Sequence, residues 1–509
     1  MALIPGLVAQ FRLRLNGDLA VNQTRQGYLR VLDGSLLGIW AGLVFYTVSK
    51  HEPWADEAQA WLIARDFSWS QLLFHELRYE GHPPVWFGIL SAAIHIFHLS
   101  YSSIGYIGAT CALLGVGLLF FVAPFARCLR YLIGFSFFFV YQYAVLARPY
   151  VLVPFLGFLA AHFYRGGKSK VVAFACTLAV LMQTSSYGAL IALALAVSYA
   201  IDLLPQRHRL SSNDRKQVLI SVLMVTMSSA LLVLLLYPPA DSFLMAQANA
   251  QSFDQHLLAA LEGIDGAFTD SALITVVILA LAAVWAKERA YLPLLILSIG
   301  GTAFEYGFLR GYSQHQGLIT VAFVVFLWTA WPIASEMASF SSSSLWLHKS
   351  LATAVSILFA WQCAWSFQSI RREWASPYTG ASDAATYLKS MNADQFGCIG
   401  IGFWAVGIQP YFNHNMFDNY GGPRDPASHH WSIDFYNRSD VLSLAQVRSR
   451  PRYIVVADEE SLQEVQPLID GFKLWNYRLI HVSDGTRFFK DALGPHSLYL
   501  IFEREDSGN

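Results

Sequence analysis

Residues 31–49, with the sequence VLDGSLLGIWAGLVFYTVS, form the first of several apolar runs near the length that crosses a bilayer. A transmembrane helix needs about 20 predominantly apolar residues, with a range of roughly 17–25. Further runs lie at about 84–99, 103–125, 131–147, 149–164, 171–184, 186–200, 218–236, 272–286, 291–308, 317–334 and 351–367. The pattern predicts an α-helical multi-pass membrane protein with about 11–13 spans.

The composition points to the same class. The chain has 509 residues, of which 55% are hydrophobic and 14% are charged. Soluble domains carry roughly 25% charged residues, so a cytosolic enzyme and a disordered scaffold are both excluded. The net charge of −1 leaves no basic surplus for binding nucleic acid. The five cysteines show no CxxC spacing, which excludes zinc-ribbon and thioredoxin-like motifs.

Charge divides the chain into parts. Residues 368–509 hold 30 of the 69 charged residues, so we expect a separate water-soluble domain there. A transmembrane domain at 31–367 and an N-terminal segment at 1–30 precede it. In the C-terminal part, β-rich runs at 398–408, 453–458, 477–482 and 496–503 alternate with helical stretches at 381–392 and 459–469, a pattern typical of a small α/β domain.

The basic residues predict the orientation, because cytoplasmic loops carry an excess of Lys and Arg. Segment 1–30 carries Arg12, Arg14, Arg25 and Arg30 against one acid, Asp18. Linkers 165–170 and 202–217 are also basic, whereas 237–271 has acids and no Lys or Arg. We therefore expect a multi-pass membrane protein with a cytoplasmic N-terminus, an outer first loop at 50–83 and an extracytoplasmic C-terminal domain.

One stretch conflicts with this assignment of segments to the two sides of the membrane. If 84–99 runs inward, an odd number of crossings must lie between residues 100 and 148, yet hydropathy offers two segments there. One of the two would then be re-entrant, interfacial or merged with its neighbour. We place Arg148 at the outer surface, because this satisfies the charge rule further along the chain.

The first outer loop concentrates acids beside the bilayer. Charged groups are costly to place near lipid, so they usually have a function there. Its first part, HEPWADEAQAWLIARD at 51–66, predicts a short helix on the membrane surface, and Trp54, Trp61 and Trp69 would be its interfacial anchors. Asp56 at its start is a helix cap, a catalytic residue or both, and Glu57 suits the first turn. Glu80 and His82, later in the loop, are either substrate-binding residues or a solvated rim.

Two further segments bring polar groups to the ends of apolar runs. In YQYAVLARPY at 141–150, Arg148 either grips a phosphate or snorkels to the interface, and Tyr150 offers a hydroxyl donor. In EYGFLRGYSQHQG at 305–317, Arg310 and His315 are either site residues or interfacial anchors at a tight turn.

The motifs DEA at 56–58, HPP at 82–84, ARPY at 147–150 and Arg-x4-His-x-Gly at 310–317 together resemble the GT-C glycosyltransferases. Within that class, the chain is similar to bacterial relatives of protein O-mannosyltransferases and lipid A aminoarabinose transferases, which implies a location in the bacterial inner or plasma membrane. The resemblance implies that Asp56 is the catalytic base, with Glu57 as a supporting acid. It implies that Arg148, Tyr150, Arg310 and His315 contact the donor phosphate.

The implied reaction is inverting transfer of a hexose or pentose from a polyprenyl-phosphate-linked donor. The acceptor would be a cell-envelope glycan, lipid or protein. The alternatives are a transporter or flippase for a lipid-linked or polar solute, and an envelope protein that binds polymer through its C-terminal domain. Relatives that depend on a metal carry a second acidic pair, which is absent around 141–150. We therefore predict no certain cofactor and assign no metal ligands; a divalent cation stays an alternative that no second acidic motif supports.

Adjacent histidines at 429–430 raise a separate question of metal binding. They lack matched Cys or Asp spacing, so the sequence favours an ordinary surface loop.

Overall fold

The molecule is a bundle of helices with a small C-terminal sheet, which confirms the predicted helical multi-pass class with an α/β region. The computed structural model describes residues 27–309, 312–439 and 450–505. Within these ranges, five helices are long and apolar enough to cross a membrane, or six if one bent pair counts as a single span. The longer helices are Gly27–Val48, Ala55–Asp66, Val85–His95, Ile104–Val122, Arg127–Phe135, Leu152–Arg165, Val171–Met182, Ser186–Leu203, Ser212–Leu236, Phe253–Phe268, Ala272–Glu288, Gly301–Phe308, Gln316–Ala330, Ser342–Ala375, Ala381–Ser390 and Gln466–Leu474.

The bundle has two distinct ends. We call the end that carries residues 50–83 the loop end, and the opposite one the far end. Polar contacts join neighbouring helices at the far end, where Asp33 pairs with Arg127, Tyr164 with Asp202, and Arg289 with Glu336. At the loop end, His51 contacts Glu373, and Arg78 donates to the carbonyl of Tyr237.

The run at 84–99 does not cross the membrane, which corrects the sequence-based count. Helix Val85–His95 has 11 residues and spans roughly 16 Å, about half of the hydrocarbon core. His95 Nε2 lies 3.1 Å from the carbonyl oxygen of Ala64. The ring of Tyr101, which follows the run, lies 5.8 Å from that of Trp61. Both ends of the run therefore lie at the loop end.

This correction removes the conflict between residues 100 and 148. The run at 131–147 is interrupted at Ser136, between helix Arg127–Phe135 and a π-helical turn at Phe138–Gln142. It still connects Arg127 at the far end with Tyr141, which donates to Glu373 at the loop end. Both segments after residue 100 thus connect the two ends of the bundle.

A bent pair of helices closes the loop end on one side. Phe253–Phe268 and Ala272–Glu288 meet at 84°. The first packs across the end of helix Gly301–Phe308, with His256 Nδ1 lying 3.1 Å from the carbonyl oxygen of Gly307. A glycine is required at 307, because a Cβ there would lie 2.2 Å from the backbone oxygen of His256.

The C-terminal region contains a mixed four-stranded sheet among its described residues. Its strands are β1 (Cys398–Ile401), β2 (Tyr453–Asp458), β3 (Tyr477–Phe489) and β4 (Ala492–Arg504), arranged in the order β1-β2-β4-β3. β1 is parallel to β2, whereas β4 is antiparallel to both β2 and β3. All four predicted strand positions are occupied, although the predicted run at 398–408 becomes a 3₁₀ segment, Phe403–Tyr411, after β1.

The predicted helix at 459–469 instead begins at Gln466. The Asp458 carboxylate accepts from the backbone N–H groups of Glu459 and Glu460, and this favours a turn after β2. Pro467 then provides a favourable first turn for the later helix.

The tip of the β3–β4 hairpin is inserted into the loop end of the bundle. The ring of Phe489 lies 5.2 Å from that of Phe137, and Phe488 lies 5.7 Å from Tyr141. Lys490 is 3% exposed and donates to the carbonyl of Gly266 and to Asp270, each at 2.6 Å. The sheet is therefore anchored directly to the membrane-embedded part.

Candidate active site at the loop end

The site begins at the N-terminus of helix Ala55–Asp66. Trp54 is the N-cap residue, and the Glu57 carboxylate accepts its backbone N–H at 3.1 Å. Glu57 therefore satisfies one of the free N–H groups at the helix start. Asp56 does not act as the cap, so that alternative is wrong.

The Asp56 side chain instead forms an ion pair with Arg148. The two side chains are 20% and 13% exposed, so the pair is mostly buried but still partly accessible. Trp54 and Tyr150 flank the guanidinium, with ring centroids 5.9 and 5.8 Å from its Cζ. Arg148 lies at the loop end and is directed at the first loop rather than at lipid.

Three further candidate residues meet beside this pair. The Tyr150 hydroxyl lies 2.9 Å from His315 Nε2 and 3.4 Å from His82 Nε2. We call Tyr150, His82 and His315 the Tyr150 cluster. Because Arg148 contacts the Tyr150 ring, the cluster and the ion pair form one contiguous set of polar side chains.

His82 is neutral in this environment. Burial lowers the pKa of His82 to about 4. Its Nδ1 is buried and has no hydrogen-bond partner among the described residues. A neutral imidazole offers one donor and one acceptor, so His82 suits hydrogen bonding rather than charge neutralisation.

Glu57 points away from the Asp56–Arg148 pair into a buried network. It accepts from His51 Nε2 at 2.9 Å and from the backbone N–H of Ala147 at 2.7 Å. His51 Nδ1 lies 3.0 Å from Glu373, which also accepts from the Tyr141 hydroxyl at 2.6 Å. Burial lowers the pKa of His51, but the carboxylates of Glu373 and Glu57 raise it, for a net value of about 10. The network therefore contains a protonated histidine between two carboxylates.

Glu80 is directed towards the C-terminal region rather than the Tyr150 cluster. Its carboxyl accepts from Gln59 Nε2 at 2.6 Å, and Gln59 also exchanges hydrogen bonds with the backbone of His429. Burial raises the pKa of Glu80 to about 8, so the group is largely protonated at pH 7. The structure thus separates Glu80 from His82.

The C-terminal region contributes groups that sequence patterns did not reveal. Trp54 stacks on Trp404 with ring centroids 5.5 Å apart, and Arg487 lies over both rings. Trp54 and Trp61 are 7% and 3% exposed, so they are not interfacial anchors as predicted. The C-terminal region and helix Val85–His95 cover the predicted surface helix, and only Trp69 is exposed as expected.

Two predicted features remain to be placed. Arg310 lies outside the described residues. As for metal ligands, one group of His, Cys, Asp and Glu in the described part has suitable spacing, formed by His75, Glu76 and His430. It does not include Asp56.

The apolar helices, the covered first loop and the sheet-bearing C-terminal region define a multi-pass membrane protein with a GT-C-like fold. No family model and no curated protein matches the chain. Among solved structures, ArnT from Cupriavidus metallidurans bound to undecaprenyl phosphate is similar, with a TM-score of 0.53 and 10% identity over 91% of this chain and 97% of that one. The apo state of ArnT gives a TM-score of 0.49 at 11% identity, with the same coverage. At 10% identity, the likeness to the complex is one of fold.

Proposed function

We propose that this protein is an inverting glycosyltransferase that uses a polyprenyl-phosphate-linked sugar. The partly exposed ion pair between Asp56 and Arg148 at the loop end is the observation that carries the proposal. The fold likeness to ArnT, whose solved complex contains undecaprenyl phosphate, supports the donor class.

In the proposed reaction, an acceptor hydroxyl attacks the anomeric carbon of the sugar. The bond from that carbon to the phosphate oxygen breaks, and polyprenyl phosphate leaves with the electron pair. Asp56 takes the hydroxyl proton as general base. Arg148 stabilises the charge that grows on the phosphate, because guanidinium binds phosphate oxygens in pairs. A single displacement inverts the anomeric centre.

The Tyr150 cluster would orient the donor. The hydroxyl of Tyr150 and the two imidazoles offer hydrogen bonds to phosphate or sugar oxygens beside Arg148. Arg310, from the same resemblance, would add a second cation. Glu57 would act as a positioning residue, because its oxygens are engaged by His51, Trp54 and Ala147.

The same proposal assigns each part of the chain to one side of the membrane. The loop end would face the extracytoplasmic side, with 368–509 as an extracytoplasmic domain, 31–367 as the transmembrane domain and 1–30 in the cytoplasm. A prenyl chain would remain in the bilayer while its phosphate lies at headgroup level. The acceptor would be a glycan, lipid or protein of the cell envelope.

The test uses full-length protein in nanodiscs and a panel of radiolabelled polyprenyl-phosphate sugars. We expect wild-type protein to release polyprenyl phosphate, and Asp56→Asn to slow release by roughly 100-fold or more. Asp254→Asn, at an exposed acid of helix Phe253–Phe268, is the matched control and should retain the rate. Full transfer by Asp56→Asn would refute the assignment of the base. Movement of the intact donor across vesicles without bond cleavage would favour a flippase.

A further inference from the structure

Three metal-ligating side chains meet where the first loop touches the C-terminal region. His75, Glu76 and His430 each offer one donor atom, and these atoms lie within 4.8 Å of one another. His75 Nδ1 is 2.8 Å, and His430 Nε2 is 3.7 Å, from Glu76 Oε1. Two ligands bound at about 2.0–2.1 Å to a tetrahedral ion lie roughly 3.4 Å apart. The separations bracket this value, so small side-chain adjustments would complete a site.

The Glu76 carboxylate is buried, and a bound cation would stabilise it there. Glu76 is 3% exposed. A buried carboxylate is costly unless it is paired or coordinates a metal. His75, in contrast, has a side chain that is 61% exposed and leaves a path for an ion from solvent.

His430 is held in an orientation typical of a ligand. Its Nδ1 lies 3.0 Å from the Ser432 hydroxyl, and this contact directs Nε2 towards Glu76. Metal-bound histidines almost always engage their second ring nitrogen in such a hydrogen bond. The ring also lies 4.2 Å from that of Tyr79, which fixes its plane.

The backbone around His430 is fixed to the first loop independently of any ion. The side chain of Gln59 accepts from the N–H of His429 at 2.8 Å and donates to its carbonyl at 2.6 Å. Asp66 accepts the N–H of Ala427 at 2.9 Å. The two halves of the site are therefore already aligned. A neighbouring cavity of about 360 Å³, which Glu76, His430 and Asp425 help to line, leaves room for water or a further ligand.

We propose that His75, Glu76 and His430 bind one divalent transition-metal ion, of which zinc is the representative, and that the ion fastens the first loop to the C-terminal region. Two imidazoles and one carboxylate form a donor set that zinc accepts. The proposal does not depend on the proposed function, since Asp56 and Arg148 take no part in it.

The test measures zinc bound to full-length protein that is purified without a histidine tag. We expect one equivalent per chain after dialysis, and one equivalent of Co²⁺ to give visible d–d absorption. His75→Ala and Glu76→Gln should each weaken zinc binding at least 10-fold. Because the His75 side chain is largely exposed, its removal should leave the fold intact. His481→Ala is the matched control, since His481 pairs with a single carboxylate, Asp383.

A second measurement tests the fastening role. Removing zinc with a chelator should increase amide hydrogen exchange in residues 69–80 and 427–435 and leave exchange in β4 unchanged. Wild-type protein that holds less than one tenth of an equivalent would overturn the proposal. Zinc binding that is equal in wild type and His75→Ala would also overturn it. Neither measurement uses a lipid-linked sugar, so failure here is distinct from failure of the proposed transfer.

Discussion

Glu57 accepts a hydrogen bond from the backbone N–H of Ala147 at 2.7 Å. Each of these residues is the direct neighbour of a member of the Asp56–Arg148 pair. A single buried bond therefore aligns the two chain segments whose next side chains form the ion pair. The bond explains why Asp56 and Glu57, although adjacent in the first loop, have different surroundings.

Removing Glu57 should destabilise the protein. Glu57→Ala leaves the backbone N–H groups of Ala147 and Trp54 without their acceptor and removes one of the two carboxylates that pair with the protonated His51, which should cost about 3–5 kcal/mol of unfolding free energy. Thermal unfolding in detergent checks this, with Glu262→Ala at an exposed acid as the control. Equal unfolding temperatures for the two variants would contradict a positioning role for Glu57.

The proposed phosphate contact requires a guanidinium and not merely a positive charge. Arg148→Lys keeps the charge but loses paired donors, so transfer should fall by roughly 100-fold. The assay is release of polyprenyl phosphate from the lipid-linked donor. Arg371→Lys, at an exposed arginine near the end of helix Ser342–Ala375, should transfer at the wild-type rate. A wild-type rate in Arg148→Lys would argue that Arg148 acts only as an anchor.

Stability should decline in mildly alkaline solution because of His51. The folded state keeps its proton up to a pKa of about 10, whereas the unfolded state loses it above about 6.5. The free energy of unfolding should therefore fall between these values by at most ~1.4 kcal/mol per pH unit. Unfolding temperatures from about pH 8 to pH 9.5 measure the slope. His51→Gln should flatten it, and His481→Gln should not. An unchanged slope in His51→Gln would show that the proton is held elsewhere.

The close packing at Gly307 can be tested with two alanine substitutions in one region. Gly307→Ala places a methyl group 2.2 Å from the backbone oxygen of His256, whereas a Cβ at Gly300 meets nothing within 4 Å. Gly307→Ala should cost about 1–3 kcal/mol through overpacking. Gly300→Ala should leave the unfolding temperature unchanged or slightly raised. Equal tolerance of both changes would mean that helix Phe253–Phe268 does not lie across this end.

Hydropathy and charge predicted most of the membrane part but misassigned one run. The segment at 84–99 is as apolar as a short span, but Trp86, Phe87 and Leu90 are buried against protein. Apolarity shows that a segment avoids water and does not show whether lipid or protein covers it. The same ambiguity made Trp54 and Trp61 resemble interfacial anchors.

The candidate site was predicted in part. Asp56, Arg148, Tyr150, His82 and His315 stood out because polar groups are rare beside apolar runs, and the structure brings them together. His51 and Glu373 did not, because nothing in the sequence pairs a loop histidine with an acid at the end of a distant helix. His75 and His430 are likewise too far apart in the chain to form a recognisable spacing.

The inserted hairpin of β3 and β4 has a consequence for how the protein is made. Phe488, Phe489 and Lys490 contact residues near positions 137, 141 and 270, which the ribosome delivers long before the hairpin itself. Until the hairpin has been synthesised, Phe137 lacks its contact with Phe489, and the carboxylate of Asp270 lacks its contact with Lys490. Biogenesis therefore passes through a membrane-inserted intermediate whose hairpin has not yet packed against the bundle. A membrane chaperone would bind the exposed surface at this stage.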